Sequence, residues 1–270
     1  MSDFFQHLAL GSQLAFVAVG CLLFWRLVAS PAARARRAPS PLAPWEAHGA
    51  DLLTFVLHVM AGMFAGSVAT STVAKFLGIM GDHRIIFASS GGQLGMLGGV
   101  VLYALSYPAH FRPSSGHPRQ MLLGGLAAFL IALPFVFAVG FLWTSLLKAC
   151  GLPTDNQLAV DIFARTRSPV WLLIFALTAV GIAPAAEELV FRAGLFRFFR
   201  TRIPRWAALL LPGCLFAALH LSLATYAQLV VLGVVFALAY ERTGHIGTAM
   251  VAHAAFNLNN VLLLLTGVDD

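Results

Sequence analysis

The chain has 270 residues, of which 59% are hydrophobic and only 10% charged, where soluble domains carry roughly 25% charge. With a mean hydropathy of +0.84 it lacks the polar surface to face water all round, which excludes a soluble enzyme, a disordered scaffold and a secreted disulfide module. The net charge of +6 does not mark a nucleic-acid partner, because the arginines sit in short loops between apolar runs rather than along one stripe. Cys21, Cys150 and Cys214 are far apart and imply neither a disulfide framework nor a zinc knuckle.

A bilayer core of roughly 30 Å needs about 20 apolar residues per helix. Taken in chain order, the apolar runs predict an all-α, polytopic transmembrane helical bundle of about eight spans, at 8–29, 51–80, 85–107, 121–149, 169–199, 206–222, 225–240 and 247–266. The first run is followed, not preceded, by positive residues and is too long for a signal peptide, so it reads as an uncleaved anchor. Residues 30–50, rich in Pro, Ala and Arg, read as a cytoplasmic linker. Gly62 and Gly66, and Gly91, Gly95 and Gly99, recur every fourth position and let neighbouring helices approach closely. The same 90–99 stretch follows no strand, so it is not a nucleotide loop. Residues 152–167 suggest an interfacial helix, capped by Thr154 or Asp155, with Leu158, Ile162 and Phe163 on one face. The spans divide into an N-terminal set, 1–150, and a C-terminal membrane core, 151–270.

Alternating loops hold Arg26, Arg34, Arg36, Arg37, Arg112, Arg119, Arg197, Arg200, Arg202, Arg205 and Arg242 on one side. The other side holds Lys75, Arg84, Lys148, Arg165 and Arg167. The richer side is expected to be cytoplasmic.

Ionisable residues inside membrane helices cost roughly 2.5–3.5 kcal/mol each on insertion scales and are functional hypotheses by default. They crowd into the last third of this chain. In Ala-Pro-Ala-Ala-Glu-Glu-Leu-Val-Phe-Arg (183–192), Glu188 and Arg192 are four apart and share a helix face, where they can pair. Glu187 points about 100° away and keeps a free carboxylate. Pro184 removes a backbone donor and predicts a kink. Phe-Ala-Ala-Leu-His (216–220) adds His220, and His-Ala-Ala-Phe-Asn (253–257) puts His253 and Asn257 on one face. His58 has no such companion in its span and reads as structural. A carboxylate and a histidine can polarise a water, and a histidine and an asparagine can donate to an oxyanion; together these describe amide hydrolysis. The same Glu and two His can also bind zinc with an open position, although no His-Glu-x-x-His is present. On the spans above, Glu187 and His253 lie nearer the cytoplasmic side than His220, by more than about 10 Å at 1.5 Å per residue.

Glu187-Glu188-Leu-Val-Phe-Arg192, Phe216-Ala-Ala-Leu-His220 and His253-Ala-Ala-Phe-Asn257, with Ala-Pro before the glutamates and Tyr-Glu-Arg-Thr-Gly at 240–244, resemble the three ordered motifs of the CPBP family of intramembrane proteases. That family includes type II CAAX prenyl endopeptidases and bacteriocin-related membrane proteins. Family members often have Gly directly after the motif arginine, where this chain has Ala193 and then Gly194. The resemblance covers roughly 150–266 and makes 151–270 a CPBP-like catalytic core. It implies an endopeptidase acting on a membrane-associated, prenylated or leader-bearing substrate. Glu187 and His220 would activate water, His253 and Asn257 would hold the oxyanion, and Glu188 and Arg192 would support them. The family is commonly labelled metalloprotease, while a glutamate mechanism without metal is also proposed for it. The latter is favoured here, with zinc or another divalent metal on Glu187, His220 and His253 as the alternative.

A catalytically silent scaffold or immunity factor of the same family is the competing function. Ion-coupled transport fits less well, because it predicts inverted repeats, and here the ionisable residues lie in one half. An integral, multi-pass protein of a prokaryotic plasma membrane, with its site toward the cytoplasmic half, is the expected location.

Overall fold

The computed structural model describes residues 2–36, 38–110 and 117–266, so Arg37 and Arg112 lie outside the described residues. Ten helices and no strand are described. We number them α1 (Ser2–Phe24, continued by a widened turn through Ala29), α2 (Pro31–Ala35), α3 (Gly49–Phe76), α4 (Gly81–Ser106) and α5 (Pro118–Ala149). Then follow α6 (Leu158–Arg165), α7 (Pro169–Phe199), α8 (Arg205–Ala218), α9 (Tyr226–Thr243) and α10 (Ile246–Thr266). Among the described residues six helices, α1, α3, α4, α5, α7 and α10, are long and apolar enough to cross a membrane. Of the eight expected spans, six are long enough to cross, and the other two runs fold as the shorter helices α8 and α9.

Backbone packing follows the small residues. A Cβ placed on Gly95 would collide with Gly62 O, one on Gly66 with Gly91 O, and one on Gly99 with His58 O, so α3 and α4 touch main chain to main chain. Polar side chains bind other pairs: Gln13 of α1 and Asn259 of α10 exchange amide hydrogen bonds at 2.8 and 3.2 Å. His58 Nδ1 donates to Thr54 O at 2.8 Å, a local bond within α3.

The stretch after α2 is not a loose linker. It lies as a strap across the arginine-rich end of α7. Arg197 donates to Ala43 O at 3.0 Å and Pro44 O at 3.2 Å, Arg200 to Leu42 O at 3.1 Å, and Arg202 to Trp45 O at 3.3 Å and to Ala47 O. Irregular backbone near a membrane must find its donors within the protein, and these guanidinium groups supply them. Trp45 is the plug of the strap, edge-on to Phe55, Tyr103, His110 and Phe198.

α8 is 14 residues long and so reaches only about 21 Å at 1.5 Å per residue, short of a roughly 30 Å core. Arg200, just beyond α7, and Arg205, opening α8, both bind Glu241 of α9, which puts these three helix ends at one level. The loop between α8 and α9 therefore sits deep. It is held from the far side by Gln157, which donates to Thr225 Oγ1 at 2.7 Å, and by Trp143, whose Nε1 donates to Leu223 O at 2.7 Å. The interfacial helix α6 begins at Leu158 with Gln157 before it, rather than at Thr154 or Asp155. Ile162 and Phe163 are buried, whereas Leu158, at the open first turn, is exposed.

Candidate active site

The site forms where α7, α10, α8 and α4 meet. α7 is not a uniform helix: i to i+5 turns run over Thr178–Ile182 and again over Leu189–Phe196, flanking the α-helical Ala183–Glu188. Pro184 lacks an N–H and its ring crowds the carbonyl four residues back. A wider turn ahead of it relieves that clash. Such turns are rare and recur at functional sites.

Glu188 and Arg192 are fully sequestered, at 0% and 1% exposure. Arg192 Nη1 donates to Glu188 Oε1 at 2.8 Å, and His253 Nδ1 donates to the same oxygen at 2.8 Å. The carboxylate can only accept there, so Nδ1 carries the proton and Nε2 of His253 points on toward Glu187 Oε2, 3.8 Å away. The Arg192 guanidinium also lies over Phe216 and Phe236, 4.8 and 5.4 Å from the ring centres, in keeping with cation–π stabilisation of a desolvated cation. The His253 ring stacks on Phe236 at 5.2 Å and meets Phe216 edge-on at 5.7 Å, which fixes its plane.

Glu187 is buried, and among the described residues no cation is paired with it alone. Its Oε1 accepts a 2.9 Å hydrogen bond from Gln93 Nε2 of α4, leaving Oε2 directed at His253. A separation of 3.8 Å is too long for a direct hydrogen bond. It is the gap a small proton-bearing group such as water fills by touching both atoms.

His220 lies in the turn just past α8. Its Nδ1 is 2.7 Å from Phe216 O; a carbonyl only accepts, so the proton is on Nδ1 and Nε2 keeps its lone pair. Its ring packs on Phe216 at 4.7 Å, the same phenyl that contacts His253. Counted from the level that Arg200 and Arg205 share on Glu241, Glu187 is 13 residues in and His220 is 15 residues in, so at about 1.5 Å per residue their depths agree within about 5 Å, against the more than about 10 Å expected. The next residue, Leu221, has a φ of 51°, a left-handed conformation that non-glycine residues adopt at a cost of order 1–3 kcal/mol, and one that clusters at functional sites. Asn257 Nδ2 donates to Ala179 O, in the first widened turn, at 2.7 Å.

The structure thus bonds Glu188, Arg192 and His253 into one cluster and sets Glu187 beside it, 3.8 Å from His253. His220 joins it through the Phe216 ring, and Asn257 through the backbone of α7. Gln93 is the member that sequence reasoning missed. It stands alone among the glycines of 90–99, a stretch already explained by helix packing, and its one signal was an amide inside an apolar span. For a metal ion, Glu187, His220 and His253 would be the donors. Both imidazoles present a bare Nε2, as a metal ligand does. Nevertheless, among the described residues no three His, Cys, Asp or Glu side chains are grouped to hold an ion.

No curated protein and no solved structure gives a match to the chain. One family does match, over residues 169–259, a segment that contains Glu187, Glu188, Arg192, His220, His253 and Asn257 but neither Gln93 nor the strap. The chain is an integral, multi-pass membrane protein whose segment 169–259 matches the family described as type II CAAX prenyl endopeptidase Rce1-like, a match that supports a CAAX-type intramembrane endopeptidase in general.

Proposed function

We propose that the protein is a glutamate-type intramembrane endopeptidase that cuts a peptide bond of a membrane-associated, prenylated or leader-bearing substrate. The observation that carries this reading is the asymmetry of the two glutamates. Glu188 is neutralised by Arg192 and tied to His253, whereas Glu187 has one oxygen held by an amide and the other facing an imidazole across 3.8 Å.

A water in reach of Glu187 Oε2 gives its proton to that carboxylate, assisted by the bare Nε2 of His220. The hydroxide oxygen bonds to the substrate carbonyl carbon, and the carbonyl electron pair moves onto oxygen. The second N–H of Asn257 donates to that oxyanion, and so does His253 through Nε2 once it is protonated on both nitrogens and held as imidazolium by Glu188, an interaction worth roughly 2.7–4 kcal/mol per donor in soluble hydrolases. Collapse of the intermediate breaks the C–N bond, and the proton held by Glu187 passes to the leaving nitrogen. Glu188 and Arg192 act behind His253, fixing its tautomer as the supporting carboxylate of a histidine does in hydrolytic triads. The arginine asymmetry of the loops supports a site in the cytoplasmic half, and the Ala- and Arg-rich composition supports a prokaryotic plasma membrane.

The test compares new protein termini in host membranes carrying wild type or Glu187→Gln at matched abundance. That swap keeps the shape and removes the base. Products present only with wild type support proteolysis and identify the substrate. Identical termini, with the variant still supporting the host phenotype, would make the protein a scaffold.

A further inference from the structure

We propose that Asn257 is a positioning residue that supplies, from α10, the hydrogen bond that Pro184 removes from α7. In the first widened turn the Ala183 N–H donates to Thr178 O. The next carbonyl, Ala179 O, can meet only two backbone donors within its own helix. In the i to i+4 pattern that donor is Ala183 N, which is engaged one carbonyl earlier. In the i to i+5 pattern it is residue 184, and proline has no N–H. A carbonyl left bare at this depth would cost free energy comparable to a lost hydrogen bond. Asn257 Nδ2 closes the vacancy at 2.7 Å.

The clasp lies one level below Glu187 and Glu188. Thr178, in the same turn, is held from α4 by Ser90, Oγ to Oγ1 at 2.7 Å. Nine residues further along α7, Glu187 is held from α4 by Gln93 and Glu188 from α10 by His253. Two neighbouring helices therefore grip α7 at two levels, each through residues three or four apart on one face: Ser90 with Gln93, and His253 with Asn257. Slippage of the widened turn into an ordinary one would rotate everything beyond it by about 100° and carry Glu187 away from His253. The clasp thus sets the direction of Glu187, an effect separate from any donation by Asn257 to an oxyanion.

The inference goes beyond the proteolytic reading and is testable without it. Asn257→Leu is made in the wild-type background and in the Pro184→Ala background, which restores an N–H at position 184. Each protein is purified in micelles for thermal unfolding and reconstituted in proteoliposomes for cleavage of the substrate identified by the terminus comparison. The expected result is that Asn257→Leu lowers the unfolding midpoint by several degrees with Pro184 present and by clearly less without it. The loss of kcat is about tenfold greater with Pro184 present, as follows from a bare buried acceptor, and KM stays unchanged. Equal losses in both backgrounds would overturn the proposal, leaving Asn257 to act independently of Ala179. Where Pro184→Ala alone abolishes cleavage, or where no proteolysis is found, the unfolding midpoints decide, so failure of the clasp and failure of the proteolytic reading give different results.

Discussion

Replacing Gln93 by leucine tests whether Glu187 is the working carboxylate and whether α4, outside the family-matched segment, contributes to it. The amide donates to Glu187 Oε1 at 2.9 Å, while its own Oε1 is buried without a hydrogen-bond partner. Hydrogen bonds to charged groups contribute about 1.5–3 kcal/mol, and each 1.36 kcal/mol is tenfold in rate. If that bond fixes the Glu187 rotamer, Gln93→Leu lowers kcat about 10- to 150-fold with KM within about twofold of wild type. Stability moves differently. Leucine is close to glutamine in size and removes an unsatisfied buried oxygen, so the unfolding midpoint holds or rises. Gln93→Glu, which sets a second carboxylate against Glu187, costs more than Gln93→Leu. The assay is cleavage in proteoliposomes alongside thermal unfolding in micelles. A Gln93→Leu protein with wild-type kcat, or one whose lost activity tracks a lowered midpoint, refutes the reasoning.

Two further outcomes follow from the same contacts. Arg192→Met leaves Glu188 charged, buried and uncompensated, which costs about 3–5 kcal/mol and lowers the unfolding midpoint by on the order of 10 °C. Adding Glu188→Gln recovers most of the midpoint but not turnover, because His253 loses the carboxylate charge behind it; a double variant as unstable as the single one would show that the pair is not the cause. Trp45→Ala empties a site that is 2% exposed and costs about 3–5 kcal/mol. It frees residues 40–48 to protease added to membrane vesicles, and an unchanged cleavage pattern would mean that the arginines alone hold the strap.

Much of this arrangement was legible in the chain, for identifiable reasons. Each apolar run is a helix because length and hydropathy are local properties that the bilayer enforces. The Glu188–Arg192 contact was visible because four residues on a helix share a face. What was not legible depends on partners distant in sequence. The length of α8 was misjudged because hydropathy continues through Leu219 and Leu221, which are exposed apolar residues beyond the helix end. Arg197, Arg200 and Arg202 served in the sequence only as markers of orientation, yet each binds backbone of the strap. The widened turns of α7 have no pattern of their own. They arise where Pro184 and the packing around it make an ordinary turn unfavourable, and the need that Asn257 meets exists only once that turn has formed.

That dependence bears on how polar residues in a membrane chain are to be interpreted. Without water, each break in regular backbone needs a donor from elsewhere in the protein, and this chain meets several breaks with a named side chain. Arg242 donates to Leu27 O at 2.7 Å where α1 ends, Trp143 serves Leu223 O, three arginines serve the strap, and Asn257 serves Ala179 O. A lone polar residue in an apolar span is therefore as well explained by a nearby break as by chemistry. Glu187 fails that explanation. A carboxylate has no proton to offer a bare carbonyl and, unlike Glu188, no arginine to neutralise; Gln93 holds it in place and leaves its second oxygen facing His253. A buried acid with no backbone to serve and, among the described residues, no cation of its own is the observation on which the proposed hydrolysis rests.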